Sequence, residues 1–333
     1  MNLMQEATPT QNANADFIAN VRQRVGQVVV GQDVVVERVL IALFTGGHLL
    51  LQGLPGLAKT LLVNTIAKVI DLKFARIQFT VDMLPSDIIG SEVIDQKSGE
   101  FRVHKGPVFT NLLLADEINR AAPKVQSAML EAMQERKVTI GGNSFRLPVP
   151  FLVIATQNPV EQSGTFELPE AQLDRFMLLH RLGYPAANDE EDILKRQLGM
   201  GLKREEGGGA VPKTAFDMID DKPVGCIDDL TAAMEAVQKV FVSDIFVKHC
   251  VELIRRTRDS ELLDFGCSPR AGLALINASR ARAVIHGRDH VLPEDMFALA
   301  EDVVLHRIRL TYEAAASGHT GAKVLQSMLS DLS

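Results

Sequence analysis

The sequence predicts an α/β fold: a parallel-sheet core followed by a C-terminal all-helical domain. Three observations point there. Short apolar runs at 48–51, 111–115, 151–156 and 176–179 alternate with segments of helical periodicity, the pattern of parallel strands covered on both faces. The alternation stops at Tyr184-Pro185, and only helical segments are predicted beyond a glycine-rich stretch. The length, 333 residues, suits two domains.

Residues 1–16 are polar and read as a flexible leader, with no basic segment followed by an apolar one. Phe17, Val21 and Val25 recur at helical spacing. Val28-Val29-Val30 ends in a turn at Gly31-Gln32, and a second helix, with Val35, Val39, Ala42 and Leu43 on one face, stops at Gly46-Gly47. The strand at 48–51 breaks at Gly53-Leu54-Pro55-Gly56, and a helix opens near Lys59. Ala75–Phe79 reads as a strand and 123–135 as a helix with Val125, Met129, Ala132 and Met133 inward. Gly141-Gly142 between alternating runs signals a hairpin within 137–149. Asn188 with Glu191 three residues on suits a capping box. Residues 203–225, with Gly207-Gly208-Gly209, Pro212 and Pro223, read as loop. Helices follow after Asp228, at 244–258, from Ser268-Pro269 to Gly287, and from Pro293. The expected division is 17–185 for the sheet domain, 186–225 for a connecting helix and linker, and 226–333 for the helical domain.

Composition excludes several classes. The 35 Lys+Arg against 42 Asp+Glu leave a charge of −7, which disfavours a nucleic-acid coat. No Trp and 2 Tyr leave no aromatic platform for stacking bases. Cys226, Cys250 and Cys267 are odd in number and lack CxxC spacing, so no disulfide framework is expected and a cytoplasmic location fits. No apolar run reaches the roughly 18 residues of a membrane span. The histidines form no HExxH.

Chemistry concentrates at three strand ends. Gly53-Leu-Pro-Gly-Leu-Ala58-Lys59-Thr60 nearly matches GxxxxGK[ST], with Ala58 replacing the second glycine. Such a turn aims backbone N–H groups at phosphates, reinforced by the following helix N-terminus. Lys59 would reach the β- and γ-phosphates and Thr60 would ligate Mg²⁺. Asp116-Glu117 ends an apolar run at the strand edge where ligands of parallel sheets bind. Asp116 would hold Mg²⁺, and Glu117 would orient and deprotonate an attacking water. Asn158 follows the strand at 151–156 and suits contact with that water or the γ-phosphate; an Asn-Pro turn is the plainer reading. Arg175 is a candidate arginine finger for a neighbouring subunit, or else a surface ion-pair partner. Arg270, a cation in a helix first turn, opposes the helix dipole; that suits an anionic partner such as a γ-phosphate reached across the domain interface. No NKxD or TKxD occurs, which disfavours a GTPase.

Together these phrases resemble the AAA+ ATPases and, within them, the MoxR family: GGHLLLQGLPGLAKT (46–60), FTVDMLPSDIIGSEV (79–93), KGPVFTNLLLADEINRAAPKVQSAMLEAMQE (105–135), ATQNPVEQSGTFELPEAQLDRF (155–176) and SPRAGLAL (268–275). GxPGxAKT resembles the family's usual Walker A loop, which accounts for Ala58. Val81 and Ala122 stand where the family commonly has Pro. The resemblance implies a P-loop AAA+ core with a helical lid, ATP and Mg²⁺ as ligands, and a nucleotide site built from Val30, Gly31, Gly53, Pro55, Gly56, Leu57, Ala58, Lys59, Thr60 and Leu61. It further implies Asp116 and Glu117 as Walker B, Asn158 as sensor 1, Arg175 as the finger and Arg270 as sensor 2. Residues 84–106 would be the helix-2 insertion and 137–149 the hairpin before sensor 1. A finger acting in trans implies a ring, expected to be a hexamer. The family further implies a chaperone that remodels, matures or assembles client proteins with a von Willebrand factor A domain partner. The alternative is a motor on nucleic acid, with Lys137 and Arg146 near the hairpin tip as its phosphate contacts.

Overall fold

The computed structural model describes residues 9–97, 99–159, 164–204, 207–219 and 222–332. Helix α1 (Pro9–Gly26) buries Phe17, Ile18, Val21 and Val25. It starts before the expected onset at Phe17, so residues 9–16 are helical rather than a loose leader, and Asn14 is buried. Residues 1–8 lie outside the described residues. Helix α2 (Asp33–Thr45) ends at Gly46, whose φ of 63° lets its N–H close back on the carbonyls of Ala42 and Leu43.

The sheet is built from β1 (Leu49–Gln52), β2 (Phe74–Gln78), β5 (Leu112–Asp116), β8 (Leu152–Gln157) and β9 (Leu178–Arg181). All pairs are parallel, in the order β2-β5-β8-β1-β9. Side chains alternate between two cores. Leu49, Leu51, Leu112, Leu114 and Ile154 face one, and Leu50, Leu113, Ala115, Val153 and Ala155 the other. Burial on both faces is why β1, β5 and β8 are apolar along most of their length. Helix α3 (Lys59–Val69) follows β1. The insertion at 84–106 holds a short helix α4 (Pro85–Ile89) and an antiparallel hairpin of β3 (Gly90–Ile94) and β4 (Phe101–Lys105). Helix α5 (Pro123–Glu135) has the expected bounds, and β6 (Lys137–Ile140) pairs with β7 (Asn143–Arg146) around Gly141-Gly142. A single turn, α6 (Glu170–Leu173), leads into β9.

Helix α7 (Ala187–Gly199) differs from expectation at its start. Ala186, extended after Pro185, is the N-cap, so Asn188 is already the second helical residue and no Asn188–Glu191 box forms. Asp189 and Glu190 still lie in the first turn, where they complement the dipole. The stretch at 203–225 is not simply loop. β10 (Leu202–Arg204) pairs with β11 (Ala210–Pro212), and a 3-10 turn covers Ala215–Met218. Positive φ at Gly207 and Gly208 accompanies the reversal between those short strands.

The last domain contains α8 (Ile227–Lys239), α9 (Asp244–Asp259), α10 (Pro269–Ile285), α11 (Pro293–Val304), α12 (Tyr312–Ala316) and α13 (Gly321–Ser330). It is not purely helical: β12 (Leu263–Phe265) pairs antiparallel with β13 (Arg309–Leu310). Ser268 caps α10, accepting from the N–H of Arg270, with Pro269 in the first turn as predicted. This domain packs against the sheet domain: α10 against α2, α11 against β9, and the 3-10 turn Leu305–Arg307 against α6. A buried polar network reinforces the seam. Arg38 of α2 pairs with Asp302 of α11, and Glu37 with Arg282 of α10 and with His286, the residue that ends that helix. No helix among the described residues is long and apolar enough to cross a membrane.

Candidate nucleotide site

The carboxyl ends of β1, β5 and β8 converge on one pocket. It is lined by Pro55, Lys59, Thr60, Asp116, Glu117 and Asn158, among others. The loop after β1 turns through Gly56, at φ 85°, and Ala58, at φ 53°, which is the N-cap of α3. A left-handed conformation costs an L-residue about 1–2 kcal/mol, which is the reason glycine is usual there. Gly53 is not among the lining residues; its carbonyl accepts from Lys59 Nζ at 2.8 Å. Burial lowers the Lys59 pKa, while Asp116 and Glu117 oppose that shift.

The two carboxylates are held by groups the sequence reading did not single out. Thr156 Oγ1 donates to Asp116 Oδ1 at 2.6 Å and accepts the Glu117 N–H at 2.9 Å. Arg76 Nη2 donates to Asp116 Oδ2 at 2.7 Å, and Gln78 Nε2 donates to Glu117 Oε2 at 3.0 Å. Arg120 Nε forms an ion pair with Glu117 at 2.7 Å. The signal for Arg76 and Gln78 was strand alternation: both leave β2 on one side, and the register pairs Gln78 with Asp116. The all-oxygen donors Asp116 and Thr60 share the pocket and suit a hard cation such as Mg²⁺. Asn158, 6% exposed, sits at the tip of β8 in the same pocket.

An apolar lobe adjoins this polar one and shares Pro55, Gly56, Leu57, Ala58 and Leu61 with it. Its walls include Val28, Val29, Val30, Tyr184, Ile193 and Leu194. Helix α7 buries no residue, because its apolar Ile193 and Leu194 turn toward this lobe. Gly31 does not line it. A Cβ there would lie 2.6 Å from Asp189 Oδ2, so glycine lets α7 approach.

Arg175 and Arg270 are not brought into this pocket. Arg175 lies in a separate groove with Glu131, Glu135, Lys137, Ser144 and Gln172. Arg270 is exposed, with Nη1 3.8 Å from Asp174 Oδ2. Arg270, expected to reach a γ-phosphate across the domain interface, stands outside the lining of this pocket. Packing of the helical domain on α2, β9 and α6 turns the start of α10 toward Asp174 instead.

A five-stranded parallel sheet with a phosphate-type loop, paired carboxylates and an appended helical domain defines an ATPase of the AAA class. Residues 48–178 match the model of the "ATPase family associated with various cellular activities (AAA)", and 255–328 match the AAA lid domain. Chaperone MoxR1 of Mycobacterium tuberculosis is 45% identical over 88% of this chain and 75% of its own length. Protein MoxR of Methylorubrum extorquens is 31% identical over 89% and 88% respectively. A solved structure from Cytophaga hutchinsonii, assigned as an ATPase, superposes with a TM-score of 0.85 at 42% identity, covering 96% of this chain and 95% of that one. The chain belongs to the MoxR family of AAA+ ATPases.

Proposed function

We propose that ATP binds with its base in the apolar lobe and its phosphates over the 53–60 loop. Lys59 contacts the β- and γ-phosphates, Thr60 and Asp116 hold Mg²⁺, and Asn158 positions the attacking water. Mg²⁺ there would neutralise phosphate charge as the γ-phosphoryl transfers. Glu117 takes the water proton as oxygen attacks phosphorus and ADP leaves. Arg175 and Arg270 complete the pocket of a neighbouring subunit in a hexameric ring. The ring acts in the cytoplasm as a chaperone on client proteins, with a von Willebrand factor A domain partner. One observation carries this reading. Lys59, Thr60, Asp116, Glu117 and Asn158 share one pocket, while Arg175 and Arg270 lie outside it, beside Asp174.

The nucleic-acid alternative has less support. Lys137 and Arg146 sit opposite each other, but at the base of the β6–β7 hairpin and not near its tip at Gly141-Gly142, and Lys137 is already beside Glu135 at 3.8 Å. The deciding experiment combines three variants. Lys59→Ala should abolish nucleotide binding. Glu117→Gln should bind ATP without turnover and capture clients. Arg175→Ala should lose hydrolysis and regain part of it when mixed with Glu117→Gln subunits. No recovery on mixing refutes the trans assignment, and DNA-stimulated turnover with a steep salt dependence refutes the chaperone reading.

A further inference from the structure

We infer that Arg307 is the positioning residue for Arg175, and that Asp174 is the carboxylate through which the helical domain sets Arg175 and Arg270 as one unit. The inference rests on the trans reading above. Arg307 is 2% exposed, at the end of the 3-10 turn that follows α11. Its guanidinium is spent largely on the residues flanking Arg175. Nε donates to Asp174 Oδ1 at 2.7 Å, and Nη2 donates to the carbonyls of Phe176 at 2.6 Å and Asp174 at 3.3 Å. Nη1 donates to the Met177 carbonyl at 3.3 Å and to that of Val303. His306 Nε2 reaches the Phe176 carbonyl at 3.2 Å. The other oxygen of Asp174 accepts from Ser268 Oγ at 3.1 Å and lies 3.8 Å from Arg270. One carboxylate thus joins the Arg175 segment, the cap of the helix that carries Arg270, and a buried arginine.

The chemistry separates this arrangement from ordinary packing. An apolar side chain would bury at this seam at lower cost than a guanidinium. What arginine adds is a rigid planar fork that fixes backbone carbonyls in direction. Those carbonyls belong to Asp174, Phe176 and Met177, so the fork determines where the intervening Arg175 points. A cation that completes a neighbour's phosphate site is sensitive to shifts of about 1 Å, worth up to about 100-fold in rate. Movement of the helical domain in one subunit would then be read as finger position in the next.

The test uses the assembled full-length protein with Mg²⁺. Arg307→Lys keeps the charge and loses the fork. Asp174→Asn keeps the shape, loses the ion pair, and carries the same test should the lysine variant fail to fold. Each should lower kcat for ATP by about 10–100-fold, with the KM and the Kd of a fluorescent ATP analogue held within about twofold. Mixing either variant with Glu117→Gln subunits should restore turnover, because the variant's own pocket is intact and receives Arg175 from its neighbour. A kcat within about twofold of the parent for both variants overturns the inference, as does joint loss of binding and hydrolysis. So does a failure of rescue under conditions where Arg175→Ala is rescued. If Arg175→Ala itself is not rescued, the trans reading falls and this inference with it.

Discussion

His48 should make the fold acid-labile in a defined window. It lies at the head of β1, the strand that leads into the 53–60 loop, and its ring is buried beside Phe151. Nδ1 accepts the Val153 N–H at 3.0 Å, so the proton sits on Nε2, which donates to the Met133 carbonyl at 3.1 Å. The ring therefore ties β1 to β8 and to α5 as a neutral group. Burial holds its pKa at about 4, against 6.5 for the free side chain. As pH falls through 6.5 the unfolded chain takes up a proton that the folded chain refuses until about pH 4, so stability declines across that interval and levels off below it. At about 1.36 kcal/mol per pH unit the interval is worth about 3 kcal/mol. His306, buried and also lowered by desolvation, acts in the same direction. His48→Gln should cost about 1–3 kcal/mol at pH 7.5 through the orphaned Val153 N–H and Met133 carbonyl. It should also flatten the decline between pH 6.5 and 4 by about 3 kcal/mol. Urea unfolding across this range measures both. An unchanged slope in the variant would refute the assignment of a neutral, doubly bonded ring.

Two further substitutions probe the site and the seam. Thr156→Val preserves volume but deletes the hydroxyl between Asp116 and the Glu117 N–H; it should cost about 1–3 kcal/mol and lower kcat, read by urea unfolding and steady-state hydrolysis. Arg38→Met strips a cation from buried Asp302 and Glu37, and a loss near about 3 kcal/mol is expected in the same unfolding assay, since one-sided removal leaves charge in the interior. The loss sits at the low end because Asp302 keeps His180 at 2.9 Å and Glu37 keeps His286 at 3.0 Å.

Much of the fold was legible because parallel strands advertise themselves. Leu49–Leu51 and Leu112–Leu114 are apolar throughout, since both faces are buried. The helix at 123–135 declared its bounds through Pro123 and a regular inward face. Local signals failed where neighbours decide. The cap at Ala186 depends on how the chain leaves Pro185, which the Asn188–Glu191 spacing does not report. β10–β11 and β12–β13 are too short to show a period. In the site, Asp116, Glu117 and Asn158 sit at strand ends and Lys59 opens the helix after β1, where sequence position and spatial position coincide. Arg76, Gln78 and Thr156 lie within strands as ordinary polar residues, and only the register of β2, β5 and β8 reveals what they touch.

The distribution of charge gives the placement of Arg270 its meaning. The pocket holds Lys59 and Arg76 beside two carboxylates, and Arg76 is already engaged by Asp116 as Arg120 is by Glu117. Of these cations, Lys59 is the one left to face a phosphoryl group. A largely dissociative transfer spreads charge over three equatorial oxygens and gains most from further guanidinium groups. The chain has two candidates, Arg175 and Arg270, and both lie beside Asp174, outside the pocket. On the proposed reading a lone subunit is complete for binding and incomplete for hydrolysis. Turnover per subunit should then rise with protein concentration as rings assemble, while the affinity for ATP stays constant. A concentration-independent turnover, measured across the range over which assembly occurs by light scattering, would mean that the missing cations come from within the chain.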